Sequence, residues 1–297
     1  MVEILTSKYL EDVLYCLGNE RRGFHYFKDR YYLELFAAKP IVKNIIKRCG
    51  NGYLPIDNLK SYWPNDVLTF TLTLDRWGDS ERGYDQTPRN QQNLVLQINF
   101  GNEHNQHYHS LLKPYDSYGP FEYRGHPIRQ NNRKTLSWVR IDFDPTTGEA
   151  LIEEVQNDWI RRVTWDMQRV TRCYAGKNTV KPGDIIHGID CEYNEFKHYA
   201  EVILEPYKRL WAELSLLAAI QFIRNKLGIS TIYYHTFDTG RKIKKIYGLL
   251  PKSMYTKLPK QFGFEVTSQS PRFLEQHKKA RRYLKAIKNT QWYRLSI

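Results

Sequence analysis

An α+β fold, with a mixed but mainly antiparallel sheet around one buried helix, follows from three features of the 297-residue sequence. Two runs alternate strictly. "VLTFTLTL" (67–74) puts Leu68, Phe70, Leu72 and Leu74 on one side, and "NLVLQINF" (93–100) does the same with Leu94, Leu96, Ile98 and Phe100. Two further β-type runs, "TLSWVRIDFD" and "EALIEEVQND", flank "PTTG", a turn by composition, and so predict an antiparallel hairpin. Finally, "EPYKRLWAELSLLAAIQFIRNKLG" (205–228) is apolar on nearly every side, as a centrally buried helix must be.

The elements follow in chain order. Residues 1–65 read as a small helical region. Leu10, Val13, Leu14 and Leu17 keep helical spacing, "FHYFKDRYYLELFAA" runs to Pro40, and "IVKNIIKRCG" puts Ile41, Val42, Ile45 and Ile46 on one face. Such short helices form either a cap on the next domain or a helix-turn-helix unit. The α/β domain spans 66–268. Its first two strands are joined by a polar loop, and "EHNQHYH", with His104, His107 and His109, reads as a hydrated loop to which no metal is assigned. Residues 157–204 are polar and poorly patterned. In the long helix, Pro206 suits the first turn and Gly228 the stop. "ISTIYYHTF" is a strand, "PKSMYTKLPKQ" a short helix broken at Pro259, and "FGFEVTS" a last short strand. Residues 269–297 form a basic C-terminal helix packed on the domain or extending from it. Its inward stripe is Phe273, His277, Ala280, Leu284 and Ile287.

The hairpin contains an anomaly. With a four-residue loop, Asp144 faces Glu149 and Arg140 faces Glu153. Alternation then gives one face to Trp138, Arg140, Asp142, Leu151, Glu153 and Val155. The other holds Val139, Ile141, Phe143, Ile152, Glu154 and Gln156. The second face is the more apolar, so Glu154 is expected to point inward under the long helix. A carboxylate so placed is expected to have a raised pKa, which suits it to act as a general base. The alternative is structural, with Glu153 paired to Arg140 and Glu154 to Arg161, Arg162 or a distant lysine. Asp158 and Trp159, at the strand end, are either the rim of a site or a helix cap and a core aromatic. His235, at the end of a late strand, is either an acid, base or phosphate contact or a hydrogen-bonded core residue.

Charge is unevenly placed. From Thr239 to Ile297 there are 15 Lys/Arg and 2 Asp/Glu, a net of +13; the preceding 238 residues hold 30 of each and sum to zero. The excess points to a polyanion, RNA or DNA, held by Lys278, Lys279, Arg281, Arg282, Lys285 and Lys288, or else to a solvated helix face. The rings of Tyr247, Tyr255, Phe273, Tyr283, Trp292 and Tyr293 interleave with these cations. The four cysteines (Cys16, Cys49, Cys173 and Cys191) have no CxxC or zinc-knuckle spacing and read as reduced thiols. The most apolar run, 210–223, is short and includes Glu213 and Gln221, so no membrane span is expected. With no leader pattern at the start, the expected location is cytoplasmic.

The order of antiparallel strands, central helix ("LWAELSLLAAIQFIRNKLGISTIYYHT"), strand, helix and strand ("SMYTKLPKQFGFEV") resembles the GNAT, or N-acetyltransferase, fold over roughly 67–268. "ALIEEVQNDW" beside that later pair resembles GNAT-like domains of polyvalent phage and mobile-element proteins. The whole chain is similar to an uncharacterised bacterial family with such a domain. The resemblance implies an acyl or aminoacyl transferase, with Glu154 or Glu153 as base and Tyr255 as acid. The Gly-rich loop that cradles the CoA pyrophosphate in that family is missing, because no glycine occurs between Gly188 and Gly228. Lys208 and Arg209 are the cations at the corresponding place. A standard acetyl-CoA donor is therefore not assigned, and the cofactor stays unknown.

Overall fold

The computed structural model describes residues 68–78, 88–89, 93–115, 119–123, 125–126, 133–176, 181–244 and 251–297, together with 22–23, 47 and 53–54. Apart from a short antiparallel pairing of 22–23 with 53–54, the helical region expected over 1–65 lies outside these residues, as do Cys16, Cys49 and Tyr247.

Among the described residues seven strands form one sheet: β1 (Phe70–Trp77), β2 (Asn93–Phe100), β3 (Thr135–Asp144), β4 (Glu149–Gln156), β5 (Thr231–His235), β6 (Glu265–Thr267) and β7 (Trp292–Ser296). Their spatial order is β1-β2-β3-β4-β5-β7-β6, and every neighbouring pair is antiparallel except β4 with β5. The helices are α1 (Asn102–Leu112), α2 (Trp159–Gly176), α3 (Tyr193–His198), α4 (Glu205–Leu227), α5 (Phe237–Ile243), α6 (Lys257–Gln261), α7 (Arg272–Gln276) and α8 (Lys278–Ala286). The α+β class and the mainly antiparallel sheet are as the sequence predicts.

The two faces of the sheet differ in kind. One carries Leu96, Ile98 and Phe100 of β2, Val139 and Ile141 of β3, Ile152 and Val155 of β4, and Ile232 and Tyr234 of β5. All are buried beneath α1, α2, α4 and the turn around Tyr255. Helix α4 is the centre of this layer, with Leu214 to Ile220 continuously buried and Ser215 hydrogen-bonded to Ser137 of β3 at 2.7 Å. It starts with Pro206 in its first turn and ends at Gly228. There φ is +67°, a left-handed conformation that glycine adopts without steric cost, so the chain can turn into β5.

The second face is apolar only in two patches. At the β1–β3 side, Val95 and Trp138 pack with Trp77. At the β4–β7 side, Leu151, Tyr233 and Trp292 lie under α5, α7 and α8 through Ile243, Phe273, Leu274 and Ala280. Between them lie Arg140, Asp142, Glu153 and Glu154, all buried.

Several elements depart from expectation. "EHNQHYH" is part of α1, not a loop. Its His104 points inward, while His107 is partly and His109 fully exposed, because steps of three and two residues fan side chains around a helix. The stretch 157–204 contains α2, α3 and a π turn at Tyr199–Ile203. The π turn seats the Tyr199 hydroxyl between Trp159 Nε1 (2.8 Å) and His104 Nε2 (2.9 Å). Pro259 lies within α6 instead of breaking it. Residues 269–297 are not one helix: the helical run breaks at His277, whose side chain caps α8, and the chain returns as β7 between β5 and β6.

Candidate active site

The hairpin register explains the paired glutamates. Asp144 pairs with Glu149 as expected, but a bulge shifts the ladder, so Ile141 pairs with Ile152 while Arg140 pairs with Glu154. Glu153 is the extra residue, and past it the alternation of β4 is inverted. Val155 joins the core, whereas Glu154 and Gln156 turn to the polar face. This corrects the expectation that Glu154 points under α4. Both carboxylates instead meet Arg140, Glu153 at 3.1 Å from Nε and Glu154 at 3.3 Å from Nη2. The first contact is ionic and not a directed hydrogen bond, since neither Glu153 oxygen has a hydrogen-bond partner among the described residues. Arg140 also lies 5.9 Å from the centroid of the Trp77 ring.

The bulge lies where the parallel pairing of β4 with β5 ends. Parallel pairing of β4 with β5 ends at Ile152 and Tyr234, while β4 runs on to Gln156. Just beyond that last pair, Lys244, buried at the end of α5, donates from Nζ to the Glu153 carbonyl oxygen at 2.8 Å. The same ammonium lies 5.6 Å from the centre of the Tyr255 ring. Helix α5 approaches this closely because residue 240 is glycine: a Cβ there would stand 2.9 Å from that of His235.

Electrostatics separates the two acids. Burial pushes Glu153 up to about 7, only partly opposed by Arg140. Burial also acts to raise Glu154, but Lys244, Arg140 and His126 outweigh it and hold that carboxyl below its ordinary value, which corrects the expectation of a raised pKa at this position. Of the two, Glu154 is the one whose side chain reaches solvent, at 11% exposure against 0%. A second group of polar residues continues the site toward the surface. Asp158 accepts from the His126 ring, from Gln156 Nε2 at 3.0 Å and from Arg161. Burial opposes its ionisation, yet these partners keep its pKa low.

The structure therefore gathers Glu153, Glu154, Tyr255 and Asp158. His235 lies within electrostatic range of Lys244 and Arg140. Its ring is wholly buried, neither nitrogen has a hydrogen-bond partner, and burial together with these two cations drives its pKa well down, so it is neutral. Tyr255 is buried and its hydroxyl raised, so it stays protonated. Trp159 is not at the rim: it is 1% exposed, in an aromatic core with Phe100, His104, Tyr108 and Phe121. The cap of α2 is Asn157, which accepts from Ile160 N at 2.8 Å. Lys208 donates to Ala200 O at 2.6 Å and is engaged within the protein, whereas Arg209, paired to Glu205 at 2.8 Å, is largely exposed. On α8, Lys278, Arg281, Arg282 and Lys285 are exposed, as is Lys288 just beyond it, while Lys279 is half-buried.

Sequence reasoning missed Lys244 and His126. For Lys244 a signal existed, because Thr236 caps α5 and fixes where that short helix ends. For His126, in a long irregular stretch, there was none. Among the described residues no group of three or more His, Cys, Asp and Glu is arranged to hold a metal, and no helix is long and apolar enough to cross a membrane. A recess of about 350 Å³ at the free edge of the sheet, lined by Glu265, Thr267 and Arg294, contains none of the gathered residues. Compared with known protein families, with curated proteins and with solved structures, the chain matches none.

Proposed function

We propose that the domain is a GNAT-like transferase, moving an acyl or aminoacyl group to an amine or hydroxyl acceptor. The observation that carries this reading is a carboxylate kept ionised by Lys244 and Arg140 just past the end of the parallel pairing of β4 with β5. In the proposed step Glu154 takes the proton from the acceptor as its nitrogen or oxygen attacks the carbonyl carbon of the donor. The tetrahedral intermediate then expels the donor's thiol or hydroxyl, to which Tyr255 gives its proton. One acyl bond is broken and one formed, and solvent returns the protons. Support for the GNAT-like fold comes from the element order: antiparallel strands, the long helix α4, then β5 parallel to β4. With Lys208 bound to a backbone carbonyl and no glycine between Gly188 and Gly228, the start of α4 does not favour a CoA pyrophosphate.

The test is Glu154→Gln, assayed with labelled acyl-CoA and aminoacyl-tRNA donors after mass spectrometry of whatever the purified protein retains. Turnover by the parent should fall about 10²- to 10⁴-fold, as for loss of a general base, with the melting temperature nearly unchanged. A variant as active as the parent refutes the assignment.

A second reading, binding of RNA or DNA without catalysis, is favoured by α8. None of Lys278, Lys279, Arg281, Arg282, Lys285 and Lys288 has an ion-pair partner among the described residues. Such binding would weaken steeply with salt and survive Glu154→Gln.

A further inference from the structure

Helix α2 carries a charged surface on the opposite side of the sheet from α8. Its inner side (Val163, Met167 and Val170) belongs to the core with α4. On its outer side Arg161, Trp165, Arg169 and Arg172 follow at steps of four, four and three residues. At 3.6 residues per turn they fall within an arc of about 80° and a length of about 16 Å. Trp165 is 52% exposed, and the Arg161 guanidinium lies 5.5 Å from the centre of its ring. Arg162 flanks the stripe and is exposed. The acids beneath it, Asp158 and Asp166, are buried and engage Arg161 and Arg169 from below. One carboxylate contact leaves most of a guanidinium's five N–H donors for an outside ligand. Beside the stripe opens a recess of about 560 Å³, lined by Met167, Gln168 and Arg172 on one side and by Ala200 and Glu201 on the other.

We propose that this stripe is a docking track for an unpaired RNA segment, one of whose bases stacks on Trp165 while the phosphates lie against Arg169, Arg172 and Arg161. A flat exposed ring between planar cations matches an unstacked base between phosphates. A duplex keeps its bases stacked away from such a ring. A membrane surface calls for a broad apolar face, which a lone tryptophan among arginines does not provide. An acidic peptide supplies the charge but no flat partner for the indole. Splayed, unpaired bases are what RNA loops, bulges and ends present. The track starts at Arg161, which holds Asp158, so the strand is led to the rim of the candidate site.

The test uses the full chain and a short, unstructured, fluorescein-labelled oligouridylate, followed by anisotropy at low salt. Trp165→Ala should weaken binding about tenfold, within the range for loss of one base stack, and Trp165→Phe should retain most of the affinity. The double change Arg169→Ala and Arg172→Ala should lower the slope of log affinity against log salt by about 1.4, two single-strand phosphate contacts. These positions are on the surface, so melting temperatures should match the parent's. Glu154→Gln should bind RNA normally, which separates this proposal from the transferase reading. No binding by the parent, or an unchanged affinity in Trp165→Ala, overturns the proposal. So does equal or tighter binding of the matching deoxyoligonucleotide, of an RNA duplex or of anionic vesicles.

Discussion

Replacing Glu153 by glutamine tests whether the buried carboxyl costs or contributes stability. The folded protein holds this group at about 7 against an ordinary value of 4.5, chiefly because it is wholly buried. Between those values the folded state binds more protons than the unfolded one, so stability falls as pH rises. At about 1.4 kcal/mol per pKa unit the loss comes to about 3–4 kcal/mol above pH 7. Glutamine has the shape of the protonated acid and never ionises. The variant and the parent should therefore match near pH 4.5, and the variant should become the more stable of the two as pH rises. The full difference at pH 8 corresponds to about 7–14 °C in melting temperature for a domain of this size. Groups such as Asp158 and His104 titrate in both proteins and cancel in the comparison. The assay is thermal or urea unfolding of both proteins across this range. A variant that is less stable at pH 8, with a gap that widens with pH, would show that the ionised pair with Arg140 is a net gain, and the burial argument would fail.

Two other substitutions probe neighbouring groups. His104, stacked 3.5 Å from Phe100, is lowered to about 3 by burial. The unfolded chain therefore takes up its proton first as pH falls below 6.5, and about 5 kcal/mol is lost between 6.5 and 3. His104→Phe should cost about 1 kcal/mol at pH 8, for the hydrogen bond to Tyr199, while flattening this acid limb in urea titrations; an unchanged slope rejects the assignment. Lys244→Met should raise the Glu154 pKa, read from carboxyl carbon shifts, and cost about 1–3 kcal/mol because the Glu153 carbonyl loses its donor. A Glu154 titration that stays in place would show that Arg140 alone sets it.

The strands of the hairpin, the limits of α4 and the core side of β2 were legible because period-two alternation, a proline start and a glycine stop are local signals. Helix α2 was equally legible in principle. Ile160, Val163, Met167 and Val170 keep helical spacing behind Asn157, but arginines between them mask the stripe. Helix α1 was harder, since its inward side depends on His104, a polar residue buried by aromatic stacking and by a hydrogen bond to a tyrosine 95 positions away. The last strand could not be read from its own residues. "WYRLS" is short and follows a run of cations, and only its partners β5 and β6 make it a strand. Lys244 became a site residue for the same non-local reason, its role being set by a carbonyl 91 positions earlier in the chain.

The spacing of core residues on β4 carries the clue that alternation alone concealed. Ala150 and Ile152 are two apart, but the next core residue, Val155, is three further on. A regular strand could not put all three on one face. Without the bulge, Glu154 and Gln156 would lie beneath α4, and Val155 would lie beside Arg140. With it, an extra residue is spent at Glu153, Val155 joins Ala150 and Ile152 in the core, and the two acids come to share one arginine. An unpaired carboxylate at either position would be costly to bury. Arg140 and Lys244 reduce that cost without removing it, as the raised Glu153 records. The strain falls on the residue that is sealed from water. The acid left partly open to solvent is the one the same cations keep ionised, while Glu153 stays sealed against the arginine.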